Sequence, residues 1–258
     1  MRYKFNEGSY TVRKEENDTI SLMIKKTNQI IYLNSAARKI LFDPNKTGDL
    51  DKFVQTLNVE DKEQAYKDYE ELLYQLECFE LVKIEKEEQE SILGCKIAGE
   101  KDYNEIARFI TANIKNQFSY SNVVNMKYYN PISIRTRQFN NNEYNILYFS
   151  EGKIIADLVV ALPPKTSGFV VVYFNAVFFS KELNESDSKR VLKELLEYAS
   201  KLFEKNFCKL RFHYFNEMQN WLLDTLENMG FNKVCTFEKE LREDKALTVY
   251  DKFFDKNS

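Results

Sequence analysis

Residues 168–179, GFVVVYFNAVFF, hold no charged side chain and a single amide, Asn175. A half-exposed strand alternates apolar and polar residues, whereas a run apolar at odd and even positions alike must be covered on both faces. The stretch therefore predicts a central sheet strand with a layer on either side. Residues 187–203 follow it as a long amphipathic helix. A strand handing over to a helix start is also the layout of an anion cradle, where bare backbone N–H groups face a phosphate. Glycine usually lets the backbone of such a cradle approach its ligand. Here the turn reads Asn184, Glu185, Ser186, Asp187, Ser188. Ser186, Asp187 and Ser188 are good N-cap residues, and each could start the helix itself.

The elements around this centre alternate. SILGCKIAG (91–99) reads as a strand, and Asp102 caps a helix through Ile114. YNILYFSEGKIIADLVVAL (144–162) is a hairpin turned by Glu151-Gly152. KLRFHYF (209–215) is a strand, 216–229 is a helix closed by Gly230, and 233–242 with 246–254 forms a last hairpin. Residues 115–142 have weak periodicity and read as an irregular surface with its aromatics packed inward. Arg135 and Arg137 in that segment could meet an acidic peptide.

Upstream the pattern differs. SYTVRKE (9–15), SLMIKK (21–26) and QIIYLN (29–34) are short β-rich runs separated by the turn signals Asn17-Asp18 and Thr27-Asn28. Ser35 caps a short helix to Leu41, Asp49 opens a second to Leu57, and Asp61 caps a third. FELVKIEK (79–86) closes the unit as a strand. The charge run EKEEQES (85–91) reads as a solvated connector. The expectation is an α+β protein in two domains: residues 1–88 winged-helix-like, and residues 89–258 a mixed α/β sheet domain.

Bulk properties narrow the function. The chain is 43% hydrophobic and 30% charged, enough for real cores and a solvated surface. A net charge of −3 gives no global pull toward nucleic acid. The third helix carries Asp61, Glu63, Asp68, Glu70, Glu71 and Glu77 against Lys62 and Lys67, a face that would repel a duplex. No apolar run is long enough to span a membrane, and the N-terminus lacks a signal-peptide core. Four well-separated cysteines read as reduced cytoplasmic thiols. With one histidine and no CxxC, no structural metal site is expected.

The element order of the second part, ending in LLDTLENMGF (222–231) and a hairpin, resembles the GNAT acyltransferase superfamily. The resemblance implies a central strand that splays from its neighbour. It also implies acyl-CoA or acetyl-CoA lying in the resulting V, with its pyrophosphate on the next helix start. The donor would contact Val177, Phe179, Ser186, Ser188, Lys189 and Arg190. The small residues of the family's phosphate loop are missing between Leu183 and Ser188, and the slot of its usual tyrosine acid holds Leu226. The first part, through TISLMIKKTNQIIYLNSAARKIL (19–41) and YKDYEELLYQLECFELV (66–82), resembles the PqqD-like recognition element of ribosomal peptide biosynthesis. That implies a leader peptide paired with an edge strand and packed beside the third helix. The contacts would come from Ile30, Ile31, Tyr32, Leu33, Tyr66, Tyr69 and Leu73.

Acyl transfer to an amine needs a base, an oxyanion donor and a proton for the departing thiolate. In the GNAT-like frame, strand 169–179 supplies oxyanion donors from its backbone. Tyr173, Asn175, His213 and Tyr214 are the candidate catalytic side chains near the splay. His213, the only histidine, has the pKa class of a base for an amine near neutrality. Two readings stay open: an N-acyltransferase acting on a precursor peptide held by its leader, or a catalytically inactive scaffold presenting that peptide to another maturation enzyme. A third is a regulator with a ligand-sensing GNAT fold. No nucleic-acid or membrane partner is expected for the first two.

Overall fold

The computed structural model describes residues 1–43, 48–85, 93–114, 117–119, 128–215, 220–241 and 245–254. The chain forms two compact units, Met1–Gln89 and Glu90–Ser258.

In the first unit, β2 (Tyr10–Lys14), β3 (Ile20–Ile24) and β4 (Ile30–Leu33) form an antiparallel meander. Its turns are encoded locally. Asn17 and Asp18 sit at φ 54° and 60°, and Asn28 at 56°, a left-handed conformation these short polar side chains tolerate. Helices α1 (Arg38–Leu41), α2 (Leu50–Thr56) and α3 (Lys62–Cys78) follow. Asp49 caps α2 through the amides of Asp51 and Lys52, and Asp61 caps α3 through that of Gln64. Ser35 does not cap α1. Asn34 Oδ1 accepts from the Ala37 amide at 2.8 Å, and the helix begins at Arg38. A second sheet joins β1 (Arg2–Phe5) to β5 (Val82–Glu85), antiparallel. β1 has no period of its own, and its partner lies at the far end of the unit. The core gathers Ile20, Leu22, Leu33, Phe53, Leu73 and Leu76 from sheet and helices.

The second unit is built on one large sheet, ordered β12-β13-β11-β10-β9-β8-β6. Its strands are β6 (Gly94–Ile97), β8 (Glu143–Ser150), β9 (Lys153–Ala161), β10 (Val171–Phe179), β11 (Lys209–Phe215), β12 (Asn232–Leu241) and β13 (Lys245–Phe253). A short strand, β7 (Gln117–Ser119), pairs with β10 off this path. β10 and β11 run parallel, and the other pairs are antiparallel. Helices α6 (Glu185–Phe203) and α7 (Asn220–Asn228) bury Leu192, Leu195, Leu222 and Leu226 with Leu158, Phe174 and Val177 of the sheet. Helices α4 (Tyr103–Asn113) and α5 (Pro131–Phe139) meet β8, β9 and β10. β10 is thus central and largely buried, as its composition demands.

Three local expectations need correction. Asp102 precedes α4 but does not cap it; its carboxylate turns back to accept from the Gly99 amide and from Lys96. Residues 131–139, expected to be irregular, are helical. Asn130 Oδ1 accepts from the Ser133 amide at 2.9 Å, and Pro131 takes the first helical position, which needs no N–H. Arg135 and Arg137 on that helix do not await an acidic peptide: they pair with Glu100 and Glu143. Of the helix expected at 216–229, residues 216–219 lie outside the described residues, as do 91–92 of the strand expected at 91–99. Gly230 closes α7 at φ 87°. Among the described residues no helix is long and apolar enough to cross a membrane.

Candidate functional site at the parting of two strands

β10 and β11 pair from Val171–Lys209 to Phe174–Phe212, and no further. Beyond this, β11 continues to Phe215 and β10 to Phe179. The register of β10 against β9 slips between Phe174 and Ala176, leaving Asn175 as a bulge residue. Bulges bend a strand and turn one side chain in a new direction. Here the bulge falls where β10 leaves β11. Asn175 Nδ2 donates to Glu143 Oε1 of β8 at 2.7 Å, across the width of β9. The rings of Tyr173 and His213 lie 6.0 Å apart at the vertex.

Glu143 is the buried hub of a polar cluster whose outer member, Tyr128, reaches the surface. Glu143 is 3% exposed, accepts from the Tyr128 hydroxyl at 3.0 Å, and is ion-paired with Arg137. The Arg137 guanidinium also lies 3.6 Å over the Tyr128 ring and donates to the Tyr128 carbonyl. Burial, then the Glu143 charge, pushes the Tyr128 phenol up to about 12. Deeper in, Asp157 accepts from Asn145 Nδ2 at 2.8 Å, while its Oδ1 has no hydrogen-bond partner among the described residues. Burial pushes the Asp157 carboxyl up to about 8; the Asn145 bond opposes this and the Glu143 charge adds to it. Burial thus favours the protonated, neutral form of Asp157. None of Glu143, Tyr128 or Asp157 stood out in the sequence. The one usable signal was Asn175, an amide in an apolar strand that had to have a partner.

His213 is half-buried on β11. Burial, then the Arg211 charge, lowers its pKa, and Asp251 opposes them. The imidazole is therefore neutral at pH 7. Arg211 is itself fixed, donating to both carboxylate oxygens of buried Asp251 at 2.8 and 2.9 Å, with Lys209 as a further partner. Burial raises the Asp251 carboxyl, and the Arg211 and Lys209 hydrogen bonds more than reverse this. Tyr214 is not at the vertex. Adjacent strand residues point to opposite faces, and its ring meets Tyr250 edge-on at 6.2 Å, against the core under α6 and α7.

The turn before α6 is partly satisfied from within. Asn184 Oδ1 accepts from the Asp187 amide at 2.9 Å, so Asn184 is the N-cap and none of Ser186, Asp187 or Ser188 is. The Leu183 amide donates to the Ser180 carbonyl, and the Lys181 amide to Asn113 Oδ1 at 2.9 Å. Lys189 pairs with Glu185, and Arg190 with Glu194 and the Tyr148 hydroxyl. Ser186 is exposed, but Ser188 is buried within the first turn. Val177 and Phe179 put their side chains into the core, so only their backbone could meet a donor. Leu226 is also core, with no acid in its place.

In the first unit, β4 pairs with β3 along one edge, and among the described residues no strand takes the other. Ile30 and Tyr32 are 55% and 67% exposed, with Met23, 43% exposed, beside Ile30 on β3. Ile31 and Tyr66 are half-buried. Leu33, Tyr69 and Leu73 are core residues, not surface contacts; Tyr69 also donates to the Ala36 carbonyl at 2.8 Å. Among the described residues no group of three or more acidic, histidine or cysteine side chains could hold a metal.

No protein-family profile matches the chain, and no curated protein sequence matches it. Among solved structures, the ribosomal-protein-S5-alanine acetyltransferase from Vibrio fischeri is similar at TM-score 0.50 and 13% identity, covering 65% of this chain and 98% of that one. An acetyltransferase of the GNAT family from Streptococcus pneumoniae (TM-score 0.47, 14% identity, 62% and 98% covered) is also similar. So is a ribosomal-protein-alanine N-acetyltransferase from Brucella melitensis (0.49, 14%, 62% and 99%). The first of these likenesses shows the fold: the second unit is a GNAT-like sheet domain.

Proposed function

We propose that the protein binds a ribosomally made precursor peptide along β4 and that its second unit is an N-acyltransferase acting on an amine of that peptide. The observation that carries this is the parting of β10 from β11 at the Asn175 bulge, with Tyr173 and a neutral His213 at the vertex. A splayed strand turns backbone N–H groups toward a thioester carbonyl, where they stabilise the oxyanion. His213 takes the proton of the attacking amine as the C–N bond forms. The C–S bond then breaks, and the thiolate takes a proton from the Tyr173 hydroxyl, which recovers it from His213. An acyl-CoA supplies the acyl group. The first unit, of the PqqD-like winged-helix type, adds the leader to its sheet as a further strand. Holding the leader raises the local concentration of the core peptide, so the acceptor site needs little affinity of its own. Acetyl-CoA and longer acyl-CoAs titrated calorimetrically should give heat, and incubation with the precursor should add the acyl mass. Silence from every donor would exclude transfer from CoA thioesters.

A second reading, a donor-free scaffold that presents the peptide to another maturation enzyme, is favoured by one specific observation. Asn184 occupies an amide a pyrophosphate would use, and Glu185 and Asp187 add negative charge there.

A further inference from the structure

β7 runs antiparallel to β10, with Ser119 opposite Ala176, Phe118 opposite Val177 and Gln117 opposite Phe178. The same three β10 residues pair on their other edge with Val159, Leu158 and Asp157 of β9. A strand has two edges, so β7 holds the edge that β11 relinquishes beyond Phe212. The backbone groups that a splayed strand would turn toward a ligand are here bonded within the chain. A second tie lies close by. Asn113, the last residue of α4 and just ahead of β7, is buried; its Oδ1 accepts from the Lys181 amide where β10 gives way to the α6 turn. Its Nδ2 donates to the Phe109 carbonyl at 2.8 Å, which fixes the orientation of the amide.

We propose that β7 is an internal occupant of the donor slot, and that it must leave Ala176–Phe178 before an acyl-CoA can lie along β10. This rests on the acyltransferase reading. The arm of coenzyme A presents two amides, so donor and β7 compete for the same few backbone groups. A three-residue strand is short enough to exchange, and the Asn113 bond to Lys181 holds it near the slot. The resting protein then binds its donor more weakly than an open slot would, because each binding event must first displace β7, and hydrolysis of the thioester without an acceptor is suppressed.

The test is Phe118→Pro in the full chain. Proline removes an N–H from β7 and constrains the preceding residue. Acetyl-CoA is titrated calorimetrically into wild type and variant, and amide exchange of residues 171–179 is followed by mass spectrometry. The variant should bind acetyl-CoA at least tenfold more tightly and, without ligand, exchange those amides of Ala176–Phe178 that face β7 rather than β9 at least tenfold faster. Wild type binding as tightly as the variant would overturn the occupancy and leave the acyltransferase reading standing. No binding by either, with the β10 amides exchanging freely in the variant, would overturn both. Should Phe118→Pro fail to fold, Asn113→Ala releases the tie without touching β7. A gain in acetyl-CoA affinity of about threefold is then expected, and unchanged affinity would count against the proposal.

Discussion

The two units each have a strand with an edge that its sheet neighbours leave open, and they treat that edge in opposite ways. β4 leaves one edge without a strand partner among the described residues and surrounds it with exposed Ile30, Tyr32 and Met23. β10 loses β11 after Phe174, yet its edge is taken by β7 from the same unit. Unpaired edges are templates for any extended chain, and proteins usually blunt them with charge or cover. An edge left bare beside apolar side chains is suited to a guest strand. One that already carries a resident is suited to a guest only after exchange. Under the proposed function, the same backbone chemistry would thus give a standing site in one unit and a conditional one in the other.

The sharpest way to break this comparison is at the vertex of the conditional site. His213→Ala should lower acyl transfer about 10²–10⁴-fold, the usual contribution of a general base. With its folded pKa below the ordinary 6.5, His213 stays neutral above that value and charges only as pH falls further, so wild-type turnover should decline on the acid side. A rate unchanged by the substitution would remove His213 from the chemistry. Next comes Asp157. Its folded pKa, about 8, lies above the ordinary 3.8, so its contribution to stability is full below 3.8 and is lost as pH rises toward 8. Asp157→Asn should therefore stabilise the second unit at pH 8 by on the order of 3 kcal/mol and leave pH 4 nearly unchanged, as read by urea unfolding. Equal gains at both pH values would mean that Asp157 is not held neutral.

At the standing edge, Ile30→Ala with Tyr32→Ala should weaken precursor binding about tenfold, roughly 1.4 kcal/mol, without moving Tm. Leu73→Ala, a core change, should instead lower Tm sharply. If the exposed pair unfolded the unit as readily, β4 would not be a free edge. The smallest effect is at the α6 turn. Asn184→Ala removes a side-chain cap and should cost about 1 kcal/mol of stability. A simultaneous rise in acetyl-CoA affinity would show that the cap competes with phosphate.

What was legible in the sequence was local. Asn17, Asp18, Asn28, Glu151 and Gly152 all adopt positive φ, and each turn lies where its residues announced it. Asp49 and Asp61 cap as read. What depended on distant partners was not legible. β1 became a strand because β5 was there to receive it. Asn184 won over three equally good cap residues because the path out of β10 decides which residue meets the first turn. Asn130-Pro131 was a helix start in plain view, but nine residues gave too short a period to notice. At the site, strand parity alone separates His213 from Tyr214, whereas Glu143 reaches Asn175 across a whole strand, and no spacing rule finds that.

The glycine-free turn between β10 and α6 has one more consequence. Because Ser180, Asn113 and Asn184 take the Leu183, Lys181 and Asp187 amides, a nucleotide would meet fewer open backbone donors there than at an uncapped helix start. Under the proposed function, the thioester end of the donor would then carry more of the recognition, and a short acyl cysteamine mimic lacking the adenosine should still be used.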